Sequence, residues 1–236
     1  ANGVAAPAPP PVMLPAAQAD PLASTMGLVA RVAEEGPWTP NPGAQATFLE
    51  SSAYEVLYGG AAGGGKTTAL LFGGLRHIAE PSFRAIYFRR VYPELKLSVI
   101  PRSEQSFPKL GGRFNRNEHS WQFPAGASYK FSHLQYEDSV EDHLSAEYQY
   151  VAFDELTTFT ESQYRNILGR ARSSAGVPVR IRAGTNPGGE GADWVQRRWA
   201  PWLDSQHPNP AKPGELRWFA VIDGQDTEVK DSTSFQ

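Results

Sequence analysis

Five glycines and one lysine crowd into the sequence YGGAAGGGKTTALL at residues 58–71. Glycines carry no Cβ, so backbone N–H groups can converge on phosphate oxygens. The spacing G-x-x-x-x-G-K-T is that of a P-loop, in which Lys66 reaches the β- and γ-phosphates and the Thr67 hydroxyl takes a place on Mg²⁺. The predicted phosphate-binding residues are Gly60, Ala61, Ala62, Gly63, Gly64, Gly65, Lys66, Thr67 and Thr68. A chance glycine-rich turn would not also have a strand before it and a helix after it.

Two adjacent acids follow an apolar run in the sequence YVAFDEL at residues 150–156. We expect Asp154 to emerge at the end of a buried strand and to hold magnesium through a hydroxyl or water. Glu155 is then placed to orient a water on the γ-phosphate. A kinase must exclude hydrolysis and has no use for such a glutamate, and the guanine-reading Asn-Lys-x-Asp of a GTPase does not occur. The pair therefore favours hydrolysis of ATP.

A second polar pair, Thr185 and Asn186, lies in the sequence AGTNPGG after another apolar run. These side chains could bond to the γ-phosphate or to the attacking water, and so report whether the phosphate is present. The alternative is an ordinary Asn-Pro-Gly turn.

Strand-like and helix-like segments alternate from Trp38 onward, and they must position these residues. Strands are predicted within 54–60, 84–90, 148–155 and 179–189, helices over 66–79 and 160–173, and a hairpin over 119–134 around Pro-Ala-Gly. This alternation predicts an open, mostly parallel α/β sheet. Such sheets bind ligands at the carboxyl ends of their strands, which is where the glycine loop and both polar pairs fall.

Composition sets the domain organisation and excludes some classes of protein. The chain has 236 residues, of which 40% are hydrophobic and 20% charged. Cysteine is absent, which excludes disulfides and thiolate metal sites, and no run of eighteen apolar residues could span a membrane. Residues 1–37 are rich in alanine and proline and predict a flexible N-terminal arm. Residues 38–205 form the predicted ATPase domain.

Charge is distributed unevenly although the net charge is only −3. Residues 81–130 and 163–200 are rich in lysine and arginine, whereas residues 131–162 carry acids and neither basic residue. Solvent-exposed surfaces that carry charges of both signs would explain this pattern. The alternative is a pair of basic surfaces, around 84–116 and 165–198, that bind double-stranded DNA without sequence preference on either side of a metal-using centre.

Several stretches together resemble the ATPase (motor) domain of the large terminase subunit of tailed bacteriophages. They run in order over residues 41–200 and include FRRVYPELKLSVI, WQFPAGASYKFSHL, YVAFDELTTFTESQYRNILGRARS and AGTNPGGEGADWVQRRW. The resemblance implies a P-loop NTPase fold of the additional-strand (ASCE) type, with a mostly parallel central sheet flanked by helices and an inserted hairpin. It also implies ATP and Mg²⁺ as cofactors.

The resemblance further implies partners and residue roles. Gln45 matches the glutamine that reads adenine, and Thr185 with Asn186 matches the motif that couples hydrolysis to movement. The implied partners are double-stranded DNA, the portal protein and the small terminase subunit. The domain would be monomeric when isolated and would form a homo-oligomeric ring at the procapsid portal vertex in the host cytoplasm, without any membrane.

The chain departs from the family pattern in two ways. Many relatives carry an arginine inside the phosphate loop, where this chain has Ala61 and Ala62. Arg170 and Arg172 are candidates for the missing charge, from the same chain or from a neighbouring subunit, although they could instead bind DNA or pair with acids. We also expect residues 206–236 to begin a lid or linker, and no C-terminal nuclease domain or nuclease activity in this chain.

Two other functions are compatible with the same motifs. A helicase-like or repair ATPase would share the glutamine, the glycine loop and the acid pair, but should carry further nucleic-acid motifs. A nucleotide-regulated assembly module would bind ATP with little turnover, which Glu155 argues against.

Overall fold

A seven-stranded sheet organises the protein in the computed structural model, which describes residues 38–60, 63–174 and 176–230. The predicted arm at 1–37 lies outside these residues. The strands are β1 (Glu55–Tyr58), β2 (Arg84–Arg89), β3 (Arg113–Asn115), β4 (Ser120–Gln122), β5 (Ser128–His133), β6 (Tyr150–Asp154) and β7 (Arg180–Gly184). Their order in the sheet is β1-β7-β6-β2-β5-β4-β3.

The pairing pattern confirms the predicted fold. Strands β1, β7, β6, β2 and β5 run parallel, and β5, β4 and β3 continue the sheet in antiparallel fashion. The inserted hairpin predicted around Pro-Ala-Gly is formed by β4 and β5. Because β7 lies between β1 and β6, it is the additional strand that distinguishes this class of NTPase.

The helices are short and flank the sheet. The α-helices are α1 (Ala44–Glu50), α2 (Lys66–Gly73), α3 (Tyr92–Glu94), α4 (Ile100–Ser106), α5 (Glu161–Leu168), α6 (Ala192–Arg198) and α7 (Ala200–Leu203). A π-helical turn (Leu95–Val99) joins α3 to α4, and 3₁₀ turns cover Phe107–Leu110, Glu137–His143 and Leu156–Thr158. None of the helices in the described ranges is long and apolar enough to cross a membrane.

The core consists of two apolar layers, one on each face of the sheet. Neighbouring strand residues point to opposite faces. Tyr87 therefore packs in the layer that contains Leu70 of α2, while Phe88 packs in the layer that contains Tyr164 of α5. Strand β6 is buried along its whole length. This burial holds the residue at its carboxyl end, Asp154, in one position.

Two predicted helices are shorter than expected. Helix α2 ends at Gly73, and the segment after it packs tightly against the sheet, since a Cβ on Gly74 would collide with the ring of Tyr129. Helix α5 begins with a side-chain cap, since the Thr160 hydroxyl accepts a hydrogen bond from the Gln163 N–H at 3.1 Å. It ends at Leu168, and the chain beyond it pairs with Tyr148 in an isolated parallel bridge.

A second, two-stranded sheet follows the main one. It consists of β8 (Trp218–Ile222) and β9 (Gln225–Val229), within the segment predicted as a lid or linker. Asp226 of this hairpin accepts hydrogen bonds from Arg165 and Arg198 at 2.7 and 2.6 Å. These two contacts join the hairpin to α5 and α6.

Candidate functional site

The predicted residues meet at the carboxyl edge of three adjacent strands. Gly184 at the end of β7 pairs with Tyr58 at the end of β1 on one side and with Asp154 at the end of β6 on the other. The absence of a side chain at this position keeps the three strand ends close, because a Cβ on Gly184 would lie 2.9 Å from Leu70. The resulting cleft has a volume of about 300 Å³.

The glycine loop forms one wall of this cleft. Gly63 and Gly65 have φ values of +88° and +71°, which glycine adopts without strain. Lys66 begins α2, and its Nζ donates a hydrogen bond to the Gly60 carbonyl oxygen at 2.9 Å. Ala61 and Ala62, two of the predicted loop residues, lie outside the described residues. The eight-residue helix α2 therefore starts at the loop, as an anion-binding arrangement requires.

Asp154 is the point at which the loop and β6 meet. Its Oδ2 accepts hydrogen bonds from the Thr67 hydroxyl at 2.9 Å and from the Tyr87 hydroxyl at 2.6 Å. Burial, followed by the Asp154 charge, raises the pKa of Tyr87 well above its ordinary value, so the phenol stays a donor. A carboxylate and a hydroxyl are hard oxygen ligands of the kind that Mg²⁺ prefers, and Mg²⁺ commonly completes its shell with phosphate oxygens and waters. The residues present therefore fit magnesium.

The site also contains an arginine that we did not predict. A guanidinium nitrogen of Arg89, at the end of β2, lies 2.5 Å from Asp154 Oδ2, and another lies 3.7 Å from Glu155 Oε1. Burial acts to lower the pKa of Arg89, but the charge and hydrogen bond of Asp154, together with Tyr87 and Glu155, outweigh it and the pKa is raised. The contact depends on β2 being the parallel neighbour of β6, which brings the ends of both strands to the same edge and which no local pattern in the sequence indicates.

Glu155 lines the cleft and has an unusual backbone conformation. Its φ is +61°, a value that is uncommon for residues other than glycine and that concentrates at functional sites. Its Oε1 accepts a hydrogen bond from the Asn186 Nδ2 at 3.4 Å. The Asn186 Oδ1 is buried and has no hydrogen-bond partner within the described part of the chain. Thr185 donates to the Asn186 carbonyl oxygen at 3.0 Å, a bond within the second polar pair, and the contact of Asn186 with Glu155 joins that pair to the acid pair.

Gln45 lies behind the glycine loop. It is buried, and its side-chain oxygen accepts from the Asn41 N–H at 2.6 Å while its Nε2 donates to the Gly65 carbonyl oxygen at 3.0 Å. Both ends of the amide thus bind backbone, so Gln45 supports the loop in this structure. Its role in reading adenine stays a prediction.

At the rim of the cleft, the Thr68 hydroxyl accepts a hydrogen bond from Arg102 at 2.5 Å. Arg102 was not predicted, and it comes from α4.

Arg170 and Arg172 are not brought to the cleft. Their backbone groups bond to Tyr148, which precedes the amino end of β6, whereas Asp154 ends the same strand. The exposed Arg172 side chain lies 3.7 Å from Glu147. Because five strand residues span roughly 15 Å, neither arginine serves the cleft of its own chain in this structure. Of the two possibilities that the sequence left open, a contribution within the same chain does not fit this arrangement, because the segment lies at the amino end of β6. A contribution to a neighbouring subunit stays a prediction.

Comparison with known proteins identifies a family whose members match this chain. Residues 57–227 match the family described as terminase large subunit, T4likevirus-type, N-terminal. No curated protein sequence matches the chain.

Two solved structures share the fold at low sequence identity. The ATPase domain of the Thermus phage P74-26 large terminase aligns with a TM-score of 0.54 and 12% identity, over 83% of this chain and 82% of that domain. The large terminase of a thermophilic bacteriophage aligns with a TM-score of 0.53 and 16% identity, over 69% of this chain and 43% of that protein. This chain thus spans less than half of the thermophilic phage protein. The family match covers most of the residues described, and the chain belongs to the family of phage large terminase subunits, in their N-terminal ATPase domain.

Proposed function

We propose that this chain binds ATP with Mg²⁺ and hydrolyses it to drive double-stranded viral DNA into a procapsid. The observation that carries the proposal is the 2.9 Å hydrogen bond from Thr67 to Asp154, which joins the glycine loop to the acid pair. Two motifs separated by more than eighty residues thereby form one phosphate-and-metal site. A structure of the thermophilic phage large terminase in complex with ADP, at a TM-score of 0.50, supports nucleotide binding by analogy.

The proposed mechanism assigns one task to each side chain. Lys66 and the loop N–H groups hold the β- and γ-phosphates, and Thr67 with Asp154 holds Mg²⁺, which supplies charge neutralisation for phosphoryl transfer. Glu155 accepts a proton from a water while the water oxygen bonds to the γ-phosphorus. The bond between that phosphorus and the β–γ bridging oxygen then breaks, and the products are ADP and inorganic phosphate.

Asn186 connects this chemistry to the additional strand. Its Nδ2 contacts Glu155, and its orphaned Oδ1 is buried beside the same carboxylate. A buried polar atom without a partner is costly, so a water or a phosphate-bound group is the natural partner for it. Loss of the γ-phosphate would therefore change the contacts of the Asn186 side chain, at the carboxyl end of β7. This supports the coupling role proposed for Thr185 and Asn186.

One of the two basic stretches proposed to bind DNA offers fewer unpaired cations than the sequence suggested. In the stretch 165–198, Arg182 is buried, and ion pairs with acids engage Arg165, Arg172, Arg197 and Arg198. We nevertheless propose double-stranded DNA, bound without sequence preference, as the partner, and assembly into a ring with portal protein and small terminase subunit in the host cytoplasm. Family membership supports these partners.

Steady-state ATP hydrolysis, with and without duplex DNA, tests the proposal. We expect turnover that DNA stimulates, and we expect Lys66→Ala to abolish hydrolysis and weaken ATP binding because the loop loses its only cation. The exposed Lys212→Ala, which lies outside both basic stretches, is the matched control and should hydrolyse normally. Strand separation of a duplex would favour the helicase-like alternative. ATP binding without turnover, in both the absence and presence of DNA, would favour the assembly module.

A further inference from the structure

A second cavity lies at the amino edge of the main sheet, on the far side from the nucleotide cleft. It encloses about 20 Å³ and opens to solvent beyond that volume. Four basic side chains line it, namely Arg76 and His77 after helix α2, and Arg180 and Arg182 of β7. We call it the arginine cavity.

The positive charge of the arginine cavity is not neutralised by the described part of the chain. No carboxylate in residues 38–60, 63–174 and 176–230 lies within 4.0 Å of Arg76, Arg180 or Arg182. Burial, and then the neighbouring arginines, lower the pKa of Arg182 to about 10 and that of His77 to about 4. The positive charge of each arginine therefore destabilises the protonated form of its basic neighbours.

Backbone carbonyl groups hold two of the arginines in place. Arg76 donates to the Leu49 carbonyl oxygen at 2.9 Å, and Arg182 donates to the Ser51 carbonyl oxygen at 2.8 Å. These carbonyls end helix α1, whose partial negative charge favours cations. A carbonyl carries only a fraction of an electron charge, so the contacts fix the geometry of the guanidinium groups without neutralising them.

Arg180 supplies the observation that points to a ligand. Its Nε is buried and has no hydrogen-bond partner among the residues described. A buried N–H that finds no acceptor destabilises the fold. A water could accept this hydrogen bond, but it would leave three positive charges uncompensated. An anionic oxygen in the cavity would compensate these charges, and it would also satisfy the N–H if the Arg180 side chain turned its buried Nε towards it.

We propose that the arginine cavity binds a phosphate group through one of its anionic oxygens. The enclosed volume suits a single oxygen atom, and the rest of the group would lie at the open mouth. Guanidinium groups bind phosphate with paired, charge-assisted hydrogen bonds. The phosphate can come from a DNA backbone or from free phosphate. Phosphate binding does not depend on the proposed function, whereas DNA as its source does.

Thermal unfolding in increasing inorganic phosphate, at constant ionic strength with chloride as the balancing anion, tests the site. The measurement is made in the Lys66→Ala background, so that phosphate binding at the glycine loop does not contribute. We expect phosphate to raise Tm, and Arg180→Ala to weaken the phosphate affinity by roughly tenfold or more, the loss that one charge-assisted contact causes. Arg197→Ala removes an arginine of another surface and should keep the full response.

A second variant distinguishes the loss of a phosphate contact from misfolding. Arg180→Lys keeps the charge but loses the planar fork, and should retain part of the phosphate response. Circular dichroism confirms that each variant is folded before its response is compared. Absence of any phosphate-specific rise in Tm, or an unchanged response in folded Arg180→Ala, would overturn the proposal.

Duplex DNA binding then identifies the source of the phosphate. If a backbone phosphate occupies the cavity, Arg180→Ala in the otherwise native chain should reduce the slope of log affinity against log salt by about one. An unchanged slope together with the phosphate response assigns the cavity to free phosphate. Because ATP hydrolysis is measured separately, failure here and failure of the proposed function are distinguishable.

Discussion

Arg89 and Asp154 form an ion pair at 2.5 Å in which both side chains are almost fully buried. The carboxylate oxygen in this pair, Oδ2, also accepts hydrogen bonds from Thr67 and Tyr87. Asp154 is the residue that we assign to Mg²⁺. The guanidinium and the metal therefore compete for the same carboxylate.

We expect Arg89→Ala to lower the Mg²⁺ concentration needed for half-maximal nucleotide binding by roughly tenfold, because a charge-assisted competitor is removed. A fluorescent nucleotide titrated with Mg²⁺ measures this. Arg197→Ala, which breaks an exposed ion pair with Glu161, is the control and should leave the requirement unchanged. A higher Mg²⁺ requirement in Arg89→Ala would mean that Arg89 contacts the nucleotide and helps to bind it.

Asp154→Ala should destabilise the protein as well as weaken Mg²⁺-dependent nucleotide binding. It removes the short partner of the buried Arg89 and leaves only longer contacts to Glu155 and Glu94, at 3.7 and 3.9 Å, so we expect a loss of up to about 3 kcal/mol of unfolding free energy. Denaturant unfolding of Asp154→Ala and of the double variant Asp154→Ala, Arg89→Ala measures the cost. Removing both charges should recover much of the loss. Equal stability of the single and double variants would argue against a coupled pair.

Glu155→Gln should preserve ATP binding and lower turnover by roughly two to four orders of magnitude, the usual scale for loss of a positioned base. The amide oxygen of glutamine can still accept from Asn186, so the surroundings stay intact. Separate measurements of nucleotide affinity and of turnover check this. If both fall by the same factor, Glu155 has a structural role.

Arg170 and Arg172 lie far from the cleft of their own chain, so any contribution to hydrolysis must be made to a neighbouring subunit. The expected result is specific activity that rises with protein concentration or on assembly with DNA and portal. A mixture of the Arg170→Ala, Arg172→Ala variant with Glu155→Gln should partly regain activity, since each subunit supplies what the other lacks. Activity that is independent of concentration, with no rescue on mixing, would exclude both arginines.

Asp226 should control attachment of the β8–β9 hairpin to α5 and α6. Burial acts to raise its pKa, but the hydrogen bond from Arg165 and the charge of Arg198 outweigh this, and the pKa is lowered from 3.8. Its stabilising contribution is therefore fully present above pH 3.8 and is lost as the pH falls through the lowered folded value. Asp226→Asn should remove the charge at neutral pH. Hydrogen exchange at residues 218–229 should then become faster, while unchanged exchange would show that other contacts hold the hairpin.

The glycine loop and the acid pair could be predicted from the sequence because each is a contiguous stretch whose chemistry depends on local spacing. Lys66 and Thr67 follow the loop directly, and Asp154 with Glu155 ends a run of apolar residues. The alternation of strands and helices then indicated that these stretches share one sheet edge. The lengths of α2 and α5 were overestimated because helical spacing continues past Gly73 and Leu168, where the helices end.

Only the tertiary structure decided which basic residues meet which acids. Arg89 reaches Asp154 because β2 is the parallel neighbour of β6, and strand order is not encoded in any local pattern. The same sheet places Arg170 and Arg172 at the opposite edge from the cleft, and it brings Arg76 beside Arg180 although about a hundred residues separate them. Local spacing determined which side chains could bind phosphate and metal. The packing of distant segments determined which of them share a site, because long-range contacts form only when the whole sheet is assembled.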